Sequence, residues 1–106
     1  MKVPESVFKL CADLPGEELI VPGLRDLESG VSGTVEALLI LIARTRLTDG
    51  GLLCLRELNG NLPENPEEKL YELLSETVSE DAYGRYNSLK RRLVSFASAL
   101  DQRTAS

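Results

Sequence analysis

Apolar residues recur at helical spacing along most of the chain, and they are densest in residues 35–47. There they fall on nearly every face of a helix, and a helix without a polar face must be surrounded by protein. Ser32-Gly33-Thr34 supplies a start signal, and Asp49-Gly50-Gly51 a stop signal. We therefore predict a central buried helix over residues 34–47.

A second helix has the clearest start in the chain. Asn65 is a good N-cap residue, Pro66 has the backbone angle of a first helical position, and Glu68 stands where a capping box has an acid. This pattern predicts a helix from Pro66 to about Val78. Its outer face would carry a ridge of acids at steps of four residues: Glu68, Glu72 and Glu76.

The last helix is predicted to run to about Gln102, after a break in the polar residues 77–81. Its apolar positions are separated by three or four residues, as in a helix packed at a shallow angle on another: Tyr86, Leu89, Leu93, Phe96 and Leu100. We predict an antiparallel helical hairpin over residues 66–102. In our interpretation Glu76 would lie near Arg85, and Glu68 near Arg92.

The remaining segments are shorter. We expect one helix around Val7–Leu14, begun by Pro4-Glu5, and another over Gly23–Leu27, begun after Pro22. Residues 52–58 favour a short helix, with a strand as the alternative, and residues 59–63 have the composition of a loop. Together the pattern predicts one all-α domain over residues 1–106, a compact bundle of four or more helices.

Charge is unevenly distributed over the 106 residues, whose formal net charge is −5. Residues 57–81 hold eight acids and one base, whereas residues 82–106 hold one acid and five bases. One interpretation is that the two helices neutralise each other. The other is a docking face of opposite charges, which steers protein partners or self-association. Its candidate partner-binding residues are Arg85, Arg91, Arg92, Glu68, Glu72 and Glu76.

The sequence has little that favours catalysis or metal binding. It contains no histidine and no C-x-x-C pair, so we predict no enzyme activity, no metal site and no cofactor. Cys11 and Cys54 lie in apolar surroundings and are interpreted as buried hydrophobic residues, with a disulfide as the alternative. Residues 28–34 could form an anion cradle, but a plain loop with an N-cap is the favoured interpretation.

Membrane and nucleic-acid functions are also not favoured. The longest uncharged apolar run, Ala37–Ala43, is shorter than a membrane span, and no leader-like segment is expected. The bases of the last helix surround its apolar seam instead of forming one stripe, which makes nucleic-acid binding an unfavoured alternative. We therefore expect a small cytoplasmic, non-catalytic interaction or regulatory protein that binds another protein or itself, with a homodimer as the alternative to a different partner.

Two stretches resemble domains of the death-effector type. Phe8-Lys9-Leu10-Cys11-Ala12-Asp13 is similar to the F-x-L-C-x-D stretch of their second helix. Leu47 together with residues 52–58 is similar to their L…L-x-x-L-x-E-L pattern, while Glu68-Lys69-Leu70 departs from their R-x-D-L motif. The resemblance implies homotypic assembly of a helical domain as an alternative function.

Overall fold

The computed structural model describes residues 1–58, 62–77 and 80–105. This part of the chain forms six α-helices and one short 3₁₀ helix, without a strand, so the predicted all-α class is confirmed. The helices are α1 (Glu5–Cys11), α2 (Glu17–Glu28), α3 (Val35–Ile42), α4 (Arg44–Asp49), the 3₁₀ helix (Leu53–Glu57), α5 (Pro66–Thr77) and α6 (Ala82–Ala105).

Helix α3 is the centre of the bundle, as predicted. It contacts α2, α4, α5 and α6, and residues 37–40 are completely buried. The predicted single helix is wrong in its second half, because Ala43 leaves helical geometry, with φ −102° and ψ 18°. Helix α4 then begins at Arg44, whose guanidinium donates to the carbonyls of Leu55 (3.1 Å) and Leu58 (3.2 Å). The direction of α4 is thus coupled to a later segment of the chain.

Helix α2 begins six residues earlier than the sequence pattern indicated. Gly16, with φ +90°, forms its N-cap, and Glu17 starts the helix with an acid at its positive end. Pro22 lies inside α2, where it removes one backbone hydrogen bond. The prediction that Pro22 begins the helix is wrong, because the buried apolar face runs through this position: Leu19, Ile20, Leu24 and Leu27 are buried, while Pro22 is exposed.

Gly23 sets how closely α2 and α3 approach. A Cβ atom at this position would lie 2.6 Å from the carbonyl oxygen of Glu36 and 2.7 Å from Cδ1 of Ile40. Both distances are far below van der Waals contact. Only glycine therefore allows this separation of the two backbones.

The caps of α3 and α5 follow the sequence signals. The backbone N–H of Glu68 donates to Oδ1 of Asn65 at 3.2 Å, which confirms the predicted start of α5. At α3 the hydroxyl of Thr34 accepts from the N–H of Ala37 at 3.2 Å and donates to Oδ2 of Asp26 at 2.7 Å. Residues 28–34 therefore form the expected loop and N-cap. The predicted end of α5 at Val78 lies outside the described residues.

Helix α6 supplies the longest apolar face. Its 24 residues span about 36 Å, close to the 42 Å long dimension of the molecule. The predicted seam is confirmed, since four of its members are at most 5% exposed and Tyr86 packs against them: Leu89, Leu93, Phe96 and Leu100. At its end, Arg103 donates to the carbonyls of Leu10 (3.0 Å) and Ala12 (2.6 Å) and so binds α6 to the end of α1.

Helices α5 and α6 form the antiparallel hairpin that the sequence predicted, but in another register. Lys90 pairs with Glu67 at 3.2 Å, and the rings of Tyr71 and Tyr86 lie 5.8 Å apart. These contacts differ from the predicted ones by about one helical turn. Among the described residues neither predicted pair is formed: Glu68 bonds to Asn65, and Arg92 pairs with Glu18 of α2.

The segment that the sequence left open, residues 52–58, is helical. Leu52 and Leu55 are completely buried, and the 3₁₀ helix over Leu53–Glu57 closes one end of the core. The loop predicted for residues 59–63 lies partly outside the described residues. Within the part that is described, no helix is long and apolar enough to cross a membrane.

Candidate functional site

All three tyrosines of the sequence lie together on the surface of the α5–α6 hairpin. They line a shallow cavity of about 390 Å³, which we call the tyrosine groove. Its walls come from the first half of α5 and the first two turns of α6, which are neighbours because the short helix α5 runs antiparallel along the first half of α6. The lining residues are Asn65, Glu67, Glu68, Tyr71, Tyr83 and Tyr86.

The three rings differ in how firmly they are held. Tyr86 is half-buried and packs against the core, and the ring of Tyr71 meets it edge to face, at an interplanar angle of 71°. Tyr71 is 40% exposed and Tyr83 is 68% exposed. The groove thus has a packed floor and an aromatic wall that reaches into solvent.

Lys90 does not line the tyrosine groove but contacts two residues that do. Its Nζ lies 5.2 Å from the centroid of the Tyr86 ring and 3.2 Å from Oε1 of Glu67. The hydrogen bond to Glu67 is the main cause that raises the pKa of Lys90 above its ordinary value. The ammonium is therefore held charged against an aromatic face and a carboxylate.

Two acids belong to the lining of the groove. The side-chain amide of Asn65 donates to Oε2 of Glu68 at 3.3 Å, and the side chain of Glu68 is exposed. Outside the lining, Glu80 and Asp81 are exposed immediately before α6, and Arg85 is exposed on its first turn. Among the described residues, the lining itself thus holds the carboxylates of Glu67 and Glu68 and no base.

The acids proposed from the sequence lie on more than one surface. Glu68 lines the tyrosine groove, but Glu72 lies one turn further along the outer face of α5 and does not. Together they border a separate open depression of about 610 Å³ between α5 and the loop before α3. Glu76 is exposed near the end of α5.

The bases proposed from the sequence are likewise separated. Arg85 is exposed on the first turn of α6. Arg91 is exposed on the outer face of α6, where it borders two shallow depressions, one beside Val94 and one beside Gly16. Arg92 turns toward α2 and forms an ion pair with Glu18, so it links two helices of this chain.

The tyrosine groove contains residues that the sequence analysis did not propose. Tyr71 and Glu67 come from α5, and they meet Tyr86 and Lys90 only because of the observed register. The nearest signal in the sequence was the pair Tyr83 and Tyr86, three residues apart and so on one side of a helix. The position of Tyr71 opposite them depends on the register of the hairpin.

The remaining chemistry-bearing groups have structural roles. In the described residues no group of three or more acids and cysteines is arranged to hold a metal ion. Cys11 and Cys54 are free and buried, and burial raises the pKa of Cys11 to about 12. Glu17 accepts from the backbone N–H of Asp13 at 3.2 Å, which supports the turn before α2.

No protein-family model matches this chain, and no curated protein or solved structure is significantly similar to it. The function of the tyrosine groove therefore has to be inferred from its residues alone.

Proposed function

We propose that this is a small, non-catalytic protein-binding protein, and that the tyrosine groove on α5 and α6 is its contact surface. The observation that carries the proposal is the grouping of all three tyrosines around one exposed cavity. Tyrosine is enriched at protein interfaces, because a rigid ring buries a large area at low entropic cost while its hydroxyl stays hydrated.

Regulatory action in the cytoplasm is part of the same proposal. Two free, buried cysteines fit a reducing compartment, where disulfides are rare. A protein of 106 residues with one exposed aromatic surface is suited to act by binding and not by turnover. The charged residues proposed from the sequence then have different roles, with Glu68 inside the contact surface and Arg91 on a neighbouring face.

The proposal is tested by using the wild-type chain and Tyr83→Ala as baits in cell lysate, with quantitative mass spectrometry. Val94→Ala is the matched control, because Val94 is also exposed on α6 (54%) but lies outside the tyrosine groove. At least one protein should be captured by the wild type and Val94→Ala and lost with Tyr83→Ala. Once purified, that protein should bind the wild type and Val94→Ala with similar affinity and Tyr83→Ala more weakly. Identical captures by all three baits would contradict the proposal, provided that their circular dichroism spectra agree.

A further inference from the structure

Two residues of the tyrosine groove, Tyr86 and Glu67, already bind a cation next to it. The Lys90 ammonium sits over the face of Tyr86 and pairs with Glu67. An aromatic face beside a carboxylate attracts a cation more strongly than either group does alone, because the ring quadrupole and the charge act in the same direction. The surroundings of Lys90 thus show that this part of the surface favours a cation.

Much of the tyrosine groove is left free by Lys90. The rings of Tyr71 and Tyr83 remain exposed, and the side chain of Glu68 accepts from the neutral amide of Asn65 and forms no ion pair within the described part of the chain. Tyr83 lies on the same side of α6 as Tyr86, three residues earlier. A second cation could therefore be placed between an aromatic ring and a carboxylate, beside the first one.

The charge around the groove favours the same kind of ligand. Glu67 and Glu68 are on its walls, whose described residues include no base, and near Tyr83 along the chain the exposed acids Glu80 and Asp81 outnumber the exposed Arg85. The chain as a whole has a net charge of −5, which attracts a basic partner and opposes association of two copies. Arginine suits such a site better than lysine, because its planar guanidinium stacks on aromatic rings and pairs with carboxylates through two bonds.

We propose that the tyrosine groove binds an arginine side chain of a basic, extended segment in the partner protein. The guanidinium stacks on the exposed ring of Tyr83 and pairs with the carboxylate of Glu68. This inference rests on the proposed function and adds the chemistry of the partner.

The probe is a short fluorescein-labelled peptide in which arginine alternates with serine and glycine, and binding to the full chain is measured by fluorescence anisotropy. Peptides with glutamine or lysine in place of arginine are the controls. The arginine peptide should bind most tightly, the lysine peptide more weakly, and the glutamine peptide not at all. Added salt should weaken binding, since the site is exposed.

Variants separate a local site from a diffuse negative field. Glu68→Gln should weaken binding more than Glu72→Gln, although both remove one acid from the same face of α5. Tyr83→Ala should weaken it by about two- to fivefold, as expected for one exposed cation–π contact. Tyr83→Phe should retain binding. Lys90→Ala should strengthen it more than Arg91→Ala, because Lys90 pairs with the lining residue Glu67, whereas Arg91 borders other depressions.

Several results would overturn the proposal. Equal weakening by Glu68→Gln and Glu72→Gln would show that the field of the whole helix attracts the peptide. Absence of arginine-peptide binding, while lysate capture still depends on Tyr83, would reject the basic partner and leave the proposed function standing. A change in oligomeric state on Tyr83→Ala, seen in sedimentation velocity, would assign the groove to a second copy of the chain. Loss of both peptide binding and Tyr83-dependent capture would reject both proposals.

Discussion

Cys11 has a titratable thiol that burial in the core keeps neutral. It is completely buried, and its pKa is raised from 9.0 to about 12, first by burial and then by the neighbouring Cys54. The thiol is therefore protonated at any ordinary pH. Burial also raises the pKa of Cys54. A thiolate is the reactive form of cysteine, so neither group is prepared for chemistry.

This residue predicts a loss of stability in alkaline solution. The unfolded chain releases the Cys11 proton near pH 9.0, and the folded chain near pH 12. Stabilisation by the neutral thiol is thus complete below pH 9.0 and is lost as the pH rises toward 12. The slope would be at most about 1.4 kcal/mol per pH unit for one thiol.

Urea unfolding at a series of pH values measures this effect, with Cys11→Ala as the comparison. The variant should be less stable at neutral pH, because it leaves a small cavity. Its stability should also fall less steeply above pH 9.0, because the alanine has no proton to lose. Parallel curves for the two proteins would show that Cys11 does not contribute to the alkaline loss.

The close contact between α2 and α3 predicts that a larger residue in place of Gly23 destabilises the protein. Gly23→Ala should destabilise the protein by about 1–3 kcal/mol, because the added methyl meets the backbone of Glu36 and the side chain of Ile40. Alanine would otherwise favour a helix by about 1 kcal/mol. Gly33→Ala is the control, since nothing lies within 4 Å of the position of its Cβ. Both values come from chemical denaturation, and an unchanged midpoint for Gly23→Ala would contradict the close approach.

The sequence predicts elements well where all the signals are local. The start of α5 is specified by Asn65, Pro66 and Glu68, which act within one turn, and the structure has it at the predicted residue. Pro22 is the opposite case, because its local preference for a helix start is overridden by an apolar face that runs through it. The break at Ala43 accompanies the contacts of Arg44 with the 3₁₀ helix, which lies 11–14 residues away.

The candidate site was only partly predictable for the same reason. Glu68 was proposed from the acidic ridge of α5, and it does line the tyrosine groove. Glu67 and Tyr71 were missed because their neighbours on α6 follow from the register of the hairpin. Both helices also pack on α3, and this packing limits the register that they can adopt. The charge pattern alone does not contain that constraint, so the ion pairs predicted from it lay about one helical turn from the observed pair.

Over the whole molecule, the opposite charges serve internal contacts as well as the surface. Two adjacent bases of α6 illustrate both uses: Arg92 forms an ion pair with Glu18 of α2, whereas Arg91 is exposed on the outer face. The hypothesis that positive charge on α6 takes part in docking is therefore best tested at Arg91. Reversing the charges of both residues in one variant would change stability and binding together, so the two effects could not be separated.

Charge reversal at these two positions should give different results. Arg92→Glu places a like charge beside Glu18 and should lower the free energy of unfolding by up to about 1 kcal/mol, as for other exposed pairs. Arg91→Glu should leave it unchanged and should reduce the capture only of an acidic partner that contacts this face, not of the arginine-bearing partner of the tyrosine groove. Denaturation and the lysate assay measure the two effects. Equal stability losses would contradict the assignment of the ion pair, and unchanged capture would exclude Arg91 from the contact surface.

The position of the three tyrosines has a practical consequence, because the sequence contains no tryptophan. The tyrosine emission of the unlabelled protein, which no tryptophan masks, therefore originates entirely at the tyrosine groove. Any non-aromatic molecule that settles there would alter this emission, while an event at the distant end of the bundle would leave it nearly constant. Tyrosine emission can therefore be used to measure occupancy of the groove without a label.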